Sequence, residues 1–336
     1  MPNSFDEARY SYNPGLTANC VCRVFFAIIG TLLCWVPFHL LSRNGEFAAV
    51  VLIADVVILN LFTILNSLIW RSDNWDIWWD GVGLCDIETY LNGPLLTIYA
   101  AAMFAVMRNL AQQVGLMRAS ALTPEEKKKR NLIQAVIIFP IPVVQLIFTW
   151  FDLAQRYQIG TLIGCSAVYD GSWPKILIYS APPTLFALGT SPYAFLTWKR
   201  FNAISKSTKD ALAASNSTVA SRAQRTRRRL YQMSLSILVP YVPLMVAFLI
   251  ANVQDTDFRP YDYRRMHSNA QEDGQYPWDA ILFVPSWLVP FSTINQPWIP
   301  ILTTMPIFVF FGLTREAIET YRGYARAVGL GRFFPA

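Results

Sequence analysis

Five ionisable side chains, Arg23, His39, Asp55, Asp86 and Glu88, fall inside stretches that are otherwise apolar. A charge in hydrocarbon is costly, so such residues are read first as places where protons, ions or hydrogen bonds are handled. Asp55 is followed by Asn60 and Asn66, and a later apolar stretch carries Asn295 and Gln296. Their placement predicts a hydrogen-bonded polar core between two helices, serving equally as structural glue or as a switch element. Single contacts of this kind average roughly 0.6 kcal/mol. Arg23 lies near a span end, from which its guanidinium can snorkel to water, and is read as bland. His39 is read as a satisfied interfacial histidine. Asp86 and Glu88 belong to a rim where a ligand could face them.

Other chemistries lack their residues. Hydrolytic zinc sites need several imidazoles, and only His39 and His267 exist, assigned to opposite faces. No carboxylate pair is placed for intramembrane proteolysis. A Schiff base needs a buried amine, and Lys127, Lys128, Lys129, Lys175, Lys199, Lys206 and Lys209 all lie outside span interiors. Neither enzymatic activity, nor a metal, nor a cofactor is expected.

What must position these residues is a set of membrane helices. Of 336 residues, 54% are apolar and 15% charged, against roughly 25% charged in soluble domains. Seven stretches reach the ~20 residues needed to cross hydrocarbon: Cys20–Leu41, Phe47–Trp70, Leu84–Met107, Leu132–Phe151, Ile176–Trp198, Tyr231–Val253 and Ile281–Phe311. Lipid offers no partner to bare backbone groups, so each is predicted helical. The expected fold is an all-α seven-helix membrane bundle spanning 20–312, with an outer tail at 1–19 and an inner tail at 313–336.

Charge orients the bundle. Arg118 and Lys127–Arg130 follow span three, and Lys199, Arg200, Arg225, Arg227, Arg228 and Arg229 stand among the cations after span five. The opposite loops carry Asp73, Asp76, Asp80 and a run of acids between Asp255 and Asp279. Positive-inside counting places the basic loops and the C-terminus in the cytosol and the N-terminus outside. The net charge of +6 is thus a topology signal with attraction to anionic membrane lipid, and no nucleic-acid partner is expected. Asn216-Ser217-Thr218, the sequon, falls on the cytosolic side and should carry no glycan.

Cys85 and Cys165 are each the lone cysteine of an outer region. A disulfide tethering a loop over the bundle mouth is one reading, and two free thiols the other. Closely spaced Pro240 and Pro243 in span six invite a kink about which a helix can swing, or merely shape the bundle. Aromatics crowd the outer surface, and the Trp75–Asp80 cluster is denser than an interface belt requires. Past Gly312, apolar residues at helical spacing predict a short amphipathic helix.

Several stretches carry a family likeness: Leu65-Asn66-Ser67-Leu68-Ile69-Trp70, then Trp79-Asp80-Gly81-Val82-Gly83-Leu84-Cys85-Asp86-Ile87, and Arg108-Asn109-Leu110-Ala111. Trp173-Pro174 with Ile178-Tyr179-Ser180, and Gln296-Pro297-Trp298-Ile299-Pro300 with Val309-Phe310-Phe311-Gly312, continue it. In order and placement the chain resembles the fungal lipopeptide mating-pheromone receptors, the a-factor-receptor type of class D G-protein-coupled receptors. Members often carry a long cytosolic tail, whereas this chain stops at Ala336. It also lacks the Asp-Arg-Tyr triplet of rhodopsin-like receptors, so their ionic lock is not transferred.

The resemblance implies a plasma-membrane receptor for a secreted farnesylated peptide, signalling through a heterotrimeric G protein, with homodimerisation left open. Candidate ligand contacts, from their place on the outer rim, are Trp75, Trp79, Asp80, Glu88, Tyr169, Asp170 and Trp278. Candidate G-protein contacts are Arg108, Lys199, Arg200, Arg225, Arg227, Arg228 and Arg229. A seven-helix transporter or scaffold without signalling is the competing reading.

Overall fold

The computed structural model describes residues 13–115, 123–211, 218–267 and 277–327. Helix α1 (Pro14–Asn44) begins inside the segment assigned to a tail. The Asn13 side chain accepts from the Gly15 and Leu16 N–H groups, and Pro14 occupies the first turn, where its missing N–H costs nothing. Gly45, at φ 74°, ends it by returning its N–H to the Leu41 and Ser42 carbonyls. Helices α2 (Phe47–Ile69) and α3 (Leu84–Gly115) follow. A capping box between Thr123 and Glu126 opens α4 (Pro124–Ile138), and Pro140 divides it from α5 (Pro140–Asp152). Helices α6 (Ala181–Ala211) and α7 (Thr218–Gln254) complete the long elements. A single turn, α8 (Tyr263–Met266), precedes α9 (Phe291–Asn295), α10 (Trp298–Ile307) and α11 (Arg315–Ala327).

Among the described residues, six helical segments are long and apolar enough to cross a membrane: Pro14–Asn44, Phe47–Ile69, Leu84–Val114, Pro124–Asp152, Arg225–Gln254 and Phe291–Gly312. The expected fifth span is helical but not among them. Its apolar start, Lys175–Ser180, is a π-helical turn. Pro182, Pro183, Thr190 and Pro192 then dilute the remainder of the stretch.

Helix α3 is the axis of the bundle, packing against α2, α5, α6 and α7. Tyr99, Ala100, Ala101, Met103 and Met107 are buried along it. Large apolar side chains such as Leu32, Trp35, Val136, Phe195 and Leu302 point outward, as they must where the surrounding medium is lipid.

The fold departs from all-α at one end of the bundle. Strand β1 (Leu153–Gly160) runs directly out of α5 and turns back as β2 (Gly164–Tyr169). β3 (Ile281–Val284) joins β1 in parallel, giving the order β2-β1-β3. The expected seventh span therefore does not begin at Ile281. That segment is sheet edge, and helix resumes at Phe291 after Pro285 and Pro290. At the opposite end, α11 lays Ala317 and Tyr321 on Val36 and Leu40 of α1.

Candidate functional site

The tip of the β1–β2 hairpin, Thr161–Ile163, is driven into the end of the bundle. Leu162 is fully buried, adopts φ 62°, and receives bonds on both backbone groups. Its N–H donates to the Trp70 carbonyl at 2.8 Å. Its carbonyl accepts from Arg23 Nη1 at 3.0 Å and from Ser67 Oγ at 3.4 Å. The Arg23 Nη2 atom donates to the Ile294 carbonyl at 2.5 Å. Arg23 is fully buried, so the reading of a snorkelling, bland arginine is corrected. The carbonyls of the hairpin tip and of α9 solvate the guanidinium from within the protein, which removes its need to reach water.

Beneath the tip lies a cavity of about 60 Å³ lined by Thr63, Asn66, Glu88, Asn92, Ile163 and Gln296, among others. Glu88 is 2% exposed, and one of its oxygens accepts from Asn66 Nδ2. The same amide nitrogen donates to the Ile163 carbonyl at 2.9 Å. The second Glu88 oxygen and Asn66 Oδ1 have no hydrogen-bond partner among the described residues. Both residues line the cavity, and because buried polar atoms without partners are costly, a donor-bearing group there would suit them.

The lid is held by further contacts that the sequence reading missed. Asp73 accepts from Thr161 Oγ1, from the Ser286 N–H and from Ser286 Oγ, joining the hairpin tip to the chain after β3. Arg156 grips Asp86 through two bonds of 2.7 Å. That hydrogen-bonded pairing holds the Arg156 guanidinium above its usual range. Arg156 follows no motif, and only the hairpin places it, while Arg265 is carried to Asp170 by α8. The Cys85–Cys165 disulfide joins the head of α3 to β2 across 80 residues.

The seven candidate ligand residues do not converge. Trp79 stacks on the fully buried Trp70, and the Trp79 carbonyl accepts from the Trp70 indole. Asp80 turns its carboxylate to the Val82 N–H and its carbonyl to the Tyr157 hydroxyl. Trp75 leans on Trp287. These three shape the loop beside the sheet. Tyr169 stacks on Tyr179 at 3.9 Å, and burial pushes its hydroxyl far above the ordinary range. Asp170 is ion-paired with Arg265 at 3.0 Å. Trp278 joins Trp150 and His267 in an aromatic cluster. Glu88 alone of the seven lines the cavity under the lid.

The expected polar core is also divided. Asn66 and Gln296 line the lidded cavity, while Asn295 bonds Asn19 at 3.3 Å. Asp55 and Asn60 are buried with no partner among the described residues. Pro240 borders a different cleft, of about 340 Å³, together with Tyr99, Tyr241 and Thr303. There Tyr99 and Thr303 share a 2.7 Å hydrogen bond. Pro243 lies one turn further along α7.

At the other end of the bundle, Arg200 donates to the Ala111 carbonyl where α3 ends. Arg108, Arg227 and Arg229 are half-buried, whereas Lys199, Arg225 and Arg228 are exposed. Burial pushes the Glu46 carboxyl up, opposed by Arg130, Arg227 and Lys127 around it. Arg118 and the Asn216-Ser217 part of the sequon lie outside the described residues.

Breaking the disulfide should be expensive. Cys85→Ser or Cys165→Ser is expected to cost about 2–5 kcal/mol. A matching fall in melting temperature on adding reductant to the unmodified chain would check it. An unchanged melting temperature in either variant would show that the lid stands without its staple.

Residues 22–329 match the family described as STE3, Pheromone A receptor. The Pheromone a factor receptor of Saccharomyces cerevisiae is 24% identical over 96% of this chain and 63% of its own length. Pheromone receptor 1 of Mycosarcoma maydis is 23% identical, covering 90% of this chain and 82% of that protein. The Pheromone M-factor receptor of Schizosaccharomyces pombe is 21% identical, covering 79% and 71%. The chain thus spans less than two thirds of the length of the Saccharomyces relative.

Proposed function

The chain belongs to the STE3 pheromone A receptor family, and from that membership we propose that it is a plasma-membrane, G-protein-coupled receptor for a secreted farnesylated peptide pheromone. The observation that carries the reading is the family match across 22–329, laid over a bundle with a lidded polar cavity at one end and clustered cations at the other. In this reading Ala181–Ala211 is the further crossing, fifth in chain order, that brings the six to seven, the sheet faces outside, and the C-terminal helix α11 lies along the inner leaflet. The basic end, with Lys199, Arg225 and Arg228 exposed, receives a heterotrimeric G protein. The same cations attract anionic lipid at about 1 kcal/mol each.

Ligand recognition is assigned to the cavity under the lid. A donor or cationic group of the peptide would meet the free Glu88 oxygen and Asn66 Oδ1, displacing the hairpin tip that roofs them. Activation then requires differential affinity. Moving a 1:99 equilibrium to 99:1 takes about 5.5 kcal/mol.

The test is nucleotide exchange by a fungal heterotrimeric G protein on the chain reconstituted in lipid, with and without farnesylated pheromone peptide. Stimulated exchange supports the receptor, and Glu88→Gln is expected to raise the half-maximal peptide concentration about tenfold. Equal rates with and without every peptide tried would favour a transporter or scaffold.

A further inference from the structure

The lid raises a problem of access. The end of the bundle is roofed by Leu162 and Ile163, stapled by a disulfide and latched by Arg23. The cavity beneath, at about 60 Å³, admits a small polar head and nothing larger. A long apolar chain must bind elsewhere.

A second recess lies on the flank of the bundle at the same end. It has a volume of about 300 Å³ and is walled by Phe148, Phe151, Trp173, Pro174, Ile178 and Tyr261, with Asp152 set into it. Its wall is built from the last turn of α5 and the π-helical turn that leads into α6. That turn widens the helix and carries Ile178. Phe148, Phe151 and Trp173 are all more than 40% exposed, so the recess opens sideways, toward the medium that covers the bundle's apolar flank. Its size is that of an ordinary small-molecule site.

Asp152 separates this recess from a plain lipid-filled furrow. It is 1% exposed, and neither carboxylate oxygen has a hydrogen-bond partner among the described residues. Its neighbour Asp170, whose N–H donates to the Asp152 carbonyl, is already ion-paired with Arg265. Lys175 acts on Asp152 only from beyond salt-bridge range. A buried carboxylate without a partner beside aromatic walls is costly unless something supplies a donor. A lipid tail cannot. An apolar chain with N–H groups at its root can fill the walls and satisfy the carboxylate together.

We infer that the α5–α6 recess holds the prenyl chain of a lipidated peptide, admitted sideways from the outer leaflet, with Asp152 accepting from N–H groups beside the prenylated cysteine. This rests on the receptor reading above and adds to it the site of the lipid chain. One prenyl chain gives only modest, reversible membrane binding, so the peptide can pass from leaflet to recess while its polar part reaches toward the lid.

The test uses S-farnesyl-cysteine methyl ester with a photoreactive group on its chain, applied to the full chain in lipid nanodiscs. Cross-links are mapped by mass spectrometry. Expected are adducts on 148–152 and 173–178, reduced about tenfold by Ile178→Trp, which fills the recess. Changing Asp152→Asn should reduce labelling several-fold, whereas acetylating the probe's amine, which leaves the single N–H of a peptide linkage, should preserve it. Adducts spread over lipid-facing residues such as Leu32, Val136 and Phe195, or labelling indifferent to Ile178→Trp, would overturn the inference and leave an annular-lipid surface. The receptor reading is scored separately by nucleotide exchange. Stimulation by farnesylated peptide with an unchanged half-maximal concentration in Ile178→Trp sinks the recess alone. Confined labelling without stimulated exchange sinks the receptor reading alone.

Discussion

Arg23→Met unlatches the lid. The expected loss is about 3–6 kcal/mol, from two hydrogen bonds made by a charged donor at about 1.5–3 kcal/mol each. The guanidinium holds the Leu162 carbonyl of the hairpin tip and the Ile294 carbonyl of α9 at once, so its removal frees two elements. Thr161→Cys provides the readout. In an otherwise unmodified chain a membrane-impermeant maleimide should label it slowly, and in the Arg23→Met background at least tenfold faster. Arg23→Lys should fall between, because one ammonium cannot reproduce the planar fork. Under the proposed function, the unlatched chain should also show raised basal nucleotide exchange. Equal labelling rates in all three backgrounds would mean that the hairpin stays closed without the arginine.

Gly164→Ala carries the second large effect. Gly164 adopts φ 72°, and a Cβ placed there would lie 2.2 Å from Asn66 Cγ. Neither partner can yield freely. Asn66 is committed to Glu88 and the Ile163 carbonyl, and Gly164 adjoins the disulfide at Cys165. Left-handed backbone costs about 1–2 kcal/mol for a residue with a Cβ, and overpacking about 1–3 kcal/mol more. The expected result is a melting temperature lowered by many degrees and a fraction of chains with reactive Cys85 and Cys165 thiols. Asn66→Ala should recover part of the Gly164→Ala loss by removing the obstructing side chain, giving a non-additive double-mutant cycle. Strict additivity would show that the clash is not the cause.

The helical segments were legible because their signal is local. A run such as Phe47–Ile69 has no way to satisfy its backbone in lipid except as a helix, and the turn at Gly45 is written in one residue. Where a short apolar run is bounded by prolines, the local signal failed. Ile281–Val284 reads as the start of a span, yet it hydrogen-bonds as a third strand because β1 presents an open edge beside it. Lys175–Ser180 reads as helix, and is one, but of the wider π form.

The site was legible only in part. Glu88, Asn66 and Gln296 stand out as polar residues in apolar runs, and they do meet in one cavity. Trp79, Asp80 and Asp170 stand out equally, yet they lie away from that cavity, in a loop or an ion pair. Residue type cannot separate these cases, since an acid that lines a cavity and an acid that braces a loop look alike until their partners are known.

Sequence alone therefore determined what depends on nearest neighbours and on solvent: the membrane-crossing helices, the clustering of basic charge, the family, and the two cysteines able to pair. Tertiary structure decided what depends on residues far apart in the chain. It turned Arg23 from a snorkelling cation into a latch, because the carbonyls that solvate it come from positions 139 and 271 residues away. It made Asp152 notable by giving its carboxylate no hydrogen-bond partner among the described residues. A buried polar group takes its role from what surrounds it, and those surroundings exist only once the chain has folded.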